Sequence, residues 1–152
     1  LANYLPLDLK EEKQKYLTRE IKSAIQTIVD QGHALILIYP SPEFGLDVSL
    51  ELNKFIVLNT FNKITNIPII TVDYDFYKNA NKIIFETLDN IQGPNIYRVY
   101  PHKSFCNTAI VNKCIANNKN RLFYVDSHHL SLEGSKYIIN DIIKIILKIE
   151  IN

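Results

Sequence analysis

The pattern of hydrophobic and polar residues switches between two periods along the chain. Over residues 6–30, apolar side chains such as Leu17, Ile21 and Ile28 recur every three or four positions among Lys and Glu, which predicts a helix ended by Gly32. Residues 34–39 form an unbroken apolar run, typical of a strand buried on both faces. The same reasoning predicts helices over residues 6–30, 47–62, 74–88 and 131–149, and strands over residues 34–39, 69–72, 96–100 and 122–125.

The alternation of strands and helices predicts the fold class. Such a pattern is typical of an α/β protein in three layers, with a mainly parallel sheet of about four or five strands between helices. Pro40 and Pro42 end the strand over residues 34–39, so a loop follows at its carboxyl end, where open α/β sheets bind ligands. Ser41 and Glu43 are therefore candidates for lining a site, and the alternative is an ordinary polar loop.

Composition excludes several classes of function. The 152 residues suit one domain, and 47% of them are hydrophobic. The formal net charge of +1, with Lys interleaved among Asp and Glu, lacks the clustered basic face of a nucleic-acid-binding protein. No apolar run reaches the roughly 18 residues that span a bilayer. The first residues lack the basic and apolar regions of a signal peptide, so any export signal is expected outside this sequence.

Candidate chemistry centres on the turn after the last predicted strand. Asp126 and His129 are three residues apart, a spacing that lets the carboxylate reach Nδ1 of the imidazole, as in part of a nucleophilic triad. The alternative is structural, with Asp126 or Ser131 capping the helix that follows. His128 has the wrong spacing for this pairing, and we expect it to be the more exposed of the two adjacent histidines.

The two cysteines leave three possibilities open. Cys106 and Cys114 would be free thiols in a reducing compartment and a disulfide in an oxidising one. Two cysteines are too few for a structural zinc site unless His102 or another histidine contributes, so a metal site is the third possibility. Without that pairing, His102 is expected at the surface.

One sequence block resembles a known family. Asp126-x-x-His129-Leu130-Ser131, followed by Gly134, resembles the last block of SGNH hydrolases. It is most similar to the SGNH domain at the C-terminus of bacterial membrane acyltransferases that O-acylate cell-envelope polysaccharides. Those domains also carry a cysteine pair before this block and a strand that ends in a proline pair. The resemblance runs over about residues 17–147 and is most specific over residues 106–134.

The resemblance implies roles for particular residues. His129 would be the general base and Asp126 the group that orients it, with no metal or organic cofactor required in the site. Cys106 and Cys114 would form a disulfide. The implied fold is the three-layer, flavodoxin-like SGNH fold. The implied location is the periplasmic face of the bacterial inner membrane, where an acyl donor, a carbohydrate acceptor and an N-terminal membrane acyltransferase region would be the partners.

This sequence departs from the family in its first blocks. The nucleophile of SGNH domains sits in a Gly-Asp-Ser block, and none of the four glycines, Gly32, Gly45, Gly93 and Gly134, has that context. We therefore expect residues 1–152 to be the C-terminal part of a single SGNH-like domain, incomplete at its N-terminus. The nucleophile is then expected upstream of Leu1, and the edge of the strand over residues 34–39 is expected to be uncovered.

The available serines do not fill the gap. The serines considered are Ser41, Ser104, Ser127 and Ser131. None of them stands at a glycine-flanked turn from strand to helix, which a nucleophile of this kind favours. The function implied is acyl transfer or ester hydrolysis on an envelope carbohydrate, with the substrate-binding residues unknown. The alternatives are a non-catalytic carbohydrate-binding or interaction domain with a degenerate site, and a secreted carbohydrate esterase.

Overall fold

The secondary structure follows the predicted order, with four exceptions. The computed structural model describes residues 7–59 and 66–151, so residue 6 and residues 60–62 of the predicted helices lie outside the described part. The helices are α1 (Leu7–Asp30), α2 (Val48–Asn59), α3 (Tyr74–Ala80), α4 (Lys82–Asp89), α5 (His102–Phe105) and α6 (Leu132–Ile151), and the strands are β1 (Leu35–Ile38), β2 (Thr71–Asp73), β3 (Ile96–Val99) and β4 (Lys113–Ile115). The short elements α5 and β4 were not predicted. The predicted helix over residues 74–88 is two helices, and residues 122–125 are not a regular strand.

Local chemistry explains where the helices begin and end. Gly32 adopts a φ of +81° after α1, and its N–H donates to Val29 O at 2.9 Å, as glycine does beyond a helix C-terminus. Asp47 begins α2 by accepting from Leu50 N at 2.8 Å. Asn81 separates α3 from α4, with φ and ψ of −103° and 5°. The prediction of one continuous helix was therefore wrong at this residue.

The chain divides into two compact units. The first comprises Leu1–Leu37 and Lys82–Tyr97, and in it α1 packs against α4. Gly93 lies so close to Val29 that an added Cβ would come within 2.5 Å of the valine side chain. The second unit comprises Ile38–Asn81 and Arg98–Asn152. It contains the turn with the candidate catalytic residues.

The strands form two small sheets. β1 pairs with β3, and the bonds Leu35 N to Asn95 O and Tyr39 N to Val99 O, each 2.9 Å, give a parallel register. β2 pairs with β4 in antiparallel register, with Val72 opposite Cys114. The prediction of a mainly parallel sheet is thus confirmed for one of the two described sheets. Within residues 7–59 and 66–151, β3 is the one strand that forms hydrogen bonds with β1.

Aromatic side chains form much of the core of the second unit. The ring of Phe105 lies 5.7 Å from that of Phe123 and 5.5 Å from that of Tyr124. Tyr137 of α6 packs edge-on against Phe123 at 5.7 Å. In place of the predicted strand, residues 122–125 form single antiparallel bridges, Asn117 with Leu122 and Tyr124 with Leu130. Isolated backbone hydrogen bonds, such as Phe123 N to Ala116 O at 2.9 Å, together with ring packing therefore hold this segment where a sheet ladder was expected.

Candidate functional site

Asp126 organises a tight turn directly after the aromatic core. Val125 N donates to His129 O at 2.9 Å, which closes the turn. The carboxylate oxygen Oδ1 of Asp126 accepts from the backbone N–H of His128 at 2.9 Å and of His129 at 2.8 Å. Asp126 therefore stabilises the turn itself and not the start of α6, where the capping alternative holds for Ser131.

The second carboxylate oxygen of Asp126 binds the imidazole of His129. Oδ2 lies 2.6 Å from Nδ1 of His129, which confirms the predicted direct hydrogen bond. The backbone N–H groups of His128 and His129, followed by the His129 ring, hold the pKa of the Asp126 carboxyl well below its usual range. An ionised carboxylate accepts from Nδ1–H, so the lone pair of the neutral ring lies on Nε2.

The ring of His129 is exposed to solvent. Its side chain is 66% exposed, whereas that of Asp126 is 33% exposed. Among the residues that the structure describes, Asp126 is the hydrogen-bond partner of this ring. A fixed imidazole with an accessible Nε2 has the geometry that general-base chemistry requires.

His128 is packed more closely than the sequence suggested. Its Nδ1 lies 2.8 Å from Ser127 Oγ, and its ring centroid lies 4.0 Å from that of His129. These neighbours leave the His128 side chain 53% exposed, less than the 66% of His129. The prediction that His128 is the more exposed histidine was therefore wrong.

Ser131 and Gly134 fix the start of α6 beneath the turn. Ser131 N donates to Phe123 O at 2.8 Å, and its hydroxyl donates to Leu122 O and accepts from Gly134 N. A Cβ added to Gly134 would lie 2.1 Å from Phe123 O. The glycine of the sequence block is therefore needed because α6 begins against the backbone of the preceding segment.

The loop that follows β1, with Pro40 and Pro42, contacts the same turn. Phe44 N donates to Ser127 O at 2.9 Å, and the Phe44 ring lies 4.7 Å from the ring of Tyr124. Burial raises the pKa of the Tyr124 hydroxyl. The loop thus lies beside the candidate site, and the contact runs through Phe44. Glu43 is exposed.

Cys106 and Cys114 form the predicted disulfide. Their Cα atoms are 3.8 Å apart, and Asn107 N donates to Lys113 O at 2.9 Å beside the bond. The enclosed residues form bends and a turn in which Asn107 and Asn112 have φ of 56°.

His102 is not at the surface, and it does not form a metal site with the cysteines. Its side chain is buried among the rings of Tyr74, Tyr77 and Tyr100, at centroid distances of 6.0, 5.7 and 5.9 Å. Burial, followed by the charge of Lys103, lowers the pKa of His102. Because both thiols are consumed by the disulfide, the sulfur ligands of the metal alternative do not exist.

The serines near the turn have other partners. Ser127 contacts the ring of His128, and Ser131 caps α6. Over residues 7–59 and 66–151, no serine hydroxyl is hydrogen-bonded to the ring of His129. The described residues thus contain an oriented acid–base pair and no paired nucleophile.

A protein-family model matches most of the chain. The family model of the SGNH domain fused to AT3 domains matches residues 2–144. No curated protein and no solved structure matches the chain. None of the described helices is long and apolar enough to cross a membrane.

Proposed function

The chain belongs to the family of SGNH domains that are fused to AT3 (acyltransferase-3) domains, and we propose that it supplies the acid–base pair of an O-acyltransfer site. The acyl groups would be those carried by cell-envelope polysaccharide. The observation that carries the proposal is the 2.6 Å hydrogen bond from His129 Nδ1 to Asp126, which fixes an exposed imidazole and leaves its Nε2 to accept a proton.

The geometry suits both halves of an acyl transfer. In the first half, His129 Nε2 takes the proton of a serine hydroxyl as the oxygen attacks the donor ester, and the proton then passes to the leaving oxygen. In the second half, His129 takes the proton of a sugar hydroxyl as that oxygen attacks the acyl-serine, and it returns the proton to the serine oxygen. Asp126, which remains ionised, stabilises the imidazolium in both halves. Water in place of the sugar would give ester hydrolysis.

The serine and the oxyanion donors belong, in this proposal, to a segment outside residues 1–152. The engagement of Ser127 with His128 and of Ser131 with Leu122 supports this assignment. Residues 1–152 would then be the C-terminal part of one three-layer domain. Its sheet would gain its nucleophile-bearing strand beside β1, where Ile38 is 50% exposed.

The disulfide and the family together support a location and partners. A Cys106–Cys114 bond persists in an oxidising compartment, which fits the periplasmic face of the inner membrane. There an AT3 membrane region would deliver the acyl group, and the envelope carbohydrate would accept it. The two proton transfers assigned to His129 require no metal or organic cofactor in this site.

The proposal is tested by measuring the ester-linked acyl content of envelope polysaccharide in cells that express the intact gene product. We expect His129→Ala to lower the transfer rate by several orders of magnitude, as loss of a triad base does, and Asp126→Asn to lower it strongly as well. His33→Ala is the matched control, because His33 is exposed and lies in the other unit. Unchanged acylation in His129→Ala would favour a non-catalytic binding domain.

A second assay separates the nucleophile from the base. The purified 152-residue chain should not hydrolyse a small ester, and His129→Ala should change nothing. Turnover by the wild-type chain that disappears in His129→Ala would show that residues 1–152 contain a nucleophile.

A further inference from the structure

The catalytic turn brings together three potential metal ligands. Asp126, His128 and His129 each offer one ligand atom, and these atoms lie within 4.8 Å of one another. The proposed acyl transfer uses Asp126 and His129 and leaves His128 without a role. The placement of a second imidazole at this point therefore calls for a separate explanation.

The side chains are arranged so that both imidazoles can bind one ion. Their ring centroids are 4.0 Å apart with 43° between the ring planes. Ser127 Oγ contacts Nδ1 of His128, which leaves Nε2 of that ring available. Asp126 orients His129, the arrangement that carboxylates provide for metal-binding histidines. Exposures of 53% and 66% for the two histidine side chains give an ion direct access.

The donor set selects the class of ion. Two imidazole nitrogens suit Zn²⁺, Cu²⁺ or Ni²⁺, whereas Mg²⁺ and Ca²⁺ prefer oxygen ligands. Zinc–ligand distances of about 2.0–2.2 Å place neighbouring ligand atoms of a tetrahedral site about 3.3 Å apart. The present separation of up to 4.8 Å can close by side-chain rotation, because the imidazoles are exposed.

We propose that the imidazoles of His128 and His129 bind one divalent transition-metal ion of the Zn²⁺ class through their Nε2 atoms, with Asp126 holding the His129 ring at Nδ1 and water completing the coordination. A bound ion takes the imidazole lone pair of His129, so the ring can no longer accept a proton. Zinc would then act as a reversible inhibitor of the site. This last consequence rests on the proposed function, whereas the binding itself does not.

Calorimetric titration of the tag-free chain with ZnCl₂ tests the binding. We expect one site with a dissociation constant in the micromolar range and no detectable heat with MgCl₂. His128→Ala should weaken zinc binding at least tenfold, an effect of the size seen when a supporting ligand is lost. His33→Ala, which removes an exposed histidine of the other unit, should bind zinc as the wild type does.

Two further measurements show whether the variants are folded and which side chains bind zinc. Circular dichroism establishes that each variant is folded, and Asp126→Asn, which keeps both imidazoles, should also bind zinc more weakly. Imidazole NMR signals of His128 and His129 should shift together at one equivalent of zinc. The proposal is overturned if the wild type binds no zinc at millimolar concentration, or if His128→Ala binds it as tightly as the wild type. Because no step requires turnover, a failure here is distinct from a failure of the acyl-transfer proposal.

Discussion

Substitution of Gly134 by alanine should destabilise the protein through a single clash. The new Cβ would lie 2.1 Å from Phe123 O and 3.0 Å from Phe123 C. Ordinary contact begins near 3.4 Å, so the start of α6 would have to move by about 1.3 Å from the backbone that it touches. The obstructing atoms belong to the main chain, so no flexible side chain can rotate away.

Two opposing contributions set the change in the free energy of unfolding. Alanine is favoured over glycine in a helix by about 1 kcal/mol. Overpacking a tight site costs about 1–3 kcal/mol, and a backbone obstruction belongs at the upper end. The net loss in the free energy of unfolding should therefore be about 2 kcal/mol, which lowers the midpoint of thermal unfolding by about 4–8 °C in a domain of this size.

Urea and thermal unfolding followed by circular dichroism measure this effect. Asn140→Ala is the matched control, because Asn140 is exposed on the same helix, and its free energy of unfolding should change by less than about 0.5 kcal/mol. A Gly134→Ala protein as stable as the wild type, or more stable, would refute the close approach of α6 to Phe123.

Three other perturbations have definite expected results. Loss of the disulfide by Cys106→Ser with Cys114→Ser should lower the free energy of unfolding by about 2–3 kcal/mol in the chain-entropy model, and two reactive thiols in denatured, non-reduced wild type would contradict the bond. The pKa of the Asp126 carboxyl lies below its ordinary value of 3.8, so its contribution to stability is present above about pH 4 and is lost as the pH falls. Urea unfolding should accordingly show a gap between wild type and Asp126→Asn that is constant near neutrality and narrows below pH 4; a gap independent of pH would contradict this. Asn117→Ala should lower the free energy of urea unfolding by about 2–4 kcal/mol, because the buried side-chain amide of Asn117 accepts a hydrogen bond from Ile70 N and donates one to Pro68 O. A smaller loss than in an exposed Asn→Ala variant would contradict that role.

The parts of the structure that sequence predicted well depend on neighbours in the chain. The apolar period of α1 and α6 is a local property, and both helices lie where the pattern placed them. The Asp126–His129 bond is likewise local, since a three-residue spacing on a turn brings the groups together. The disulfide was expected from the family pattern, which records a pairing that two cysteines alone do not determine.

The parts that were missed depend on contacts between distant residues. β4 is three residues long and pairs with β2 about forty positions earlier, so no local period indicates it. His102 is buried by tyrosine rings of which two, Tyr74 and Tyr77, come from another helix. The break at Asn81 was missed because the apolar residues of α3 and α4 continue one helical period across it.

The tautomer of the His129 ring decides whether Asp126 orients it for general-base chemistry. Long-range proton–nitrogen NMR of the ring reports which nitrogen carries the hydrogen in the neutral imidazole. The account predicts that the Nδ1–H tautomer of His129 dominates in the wild type, because Asp126 accepts from Nδ1 at 2.6 Å, and that Asp126→Asn shifts the ring toward the mixture of tautomers found in free histidine. A His129 ring with the hydrogen on Nε2 in the wild type, or a tautomer unaffected by Asp126→Asn, would contradict it.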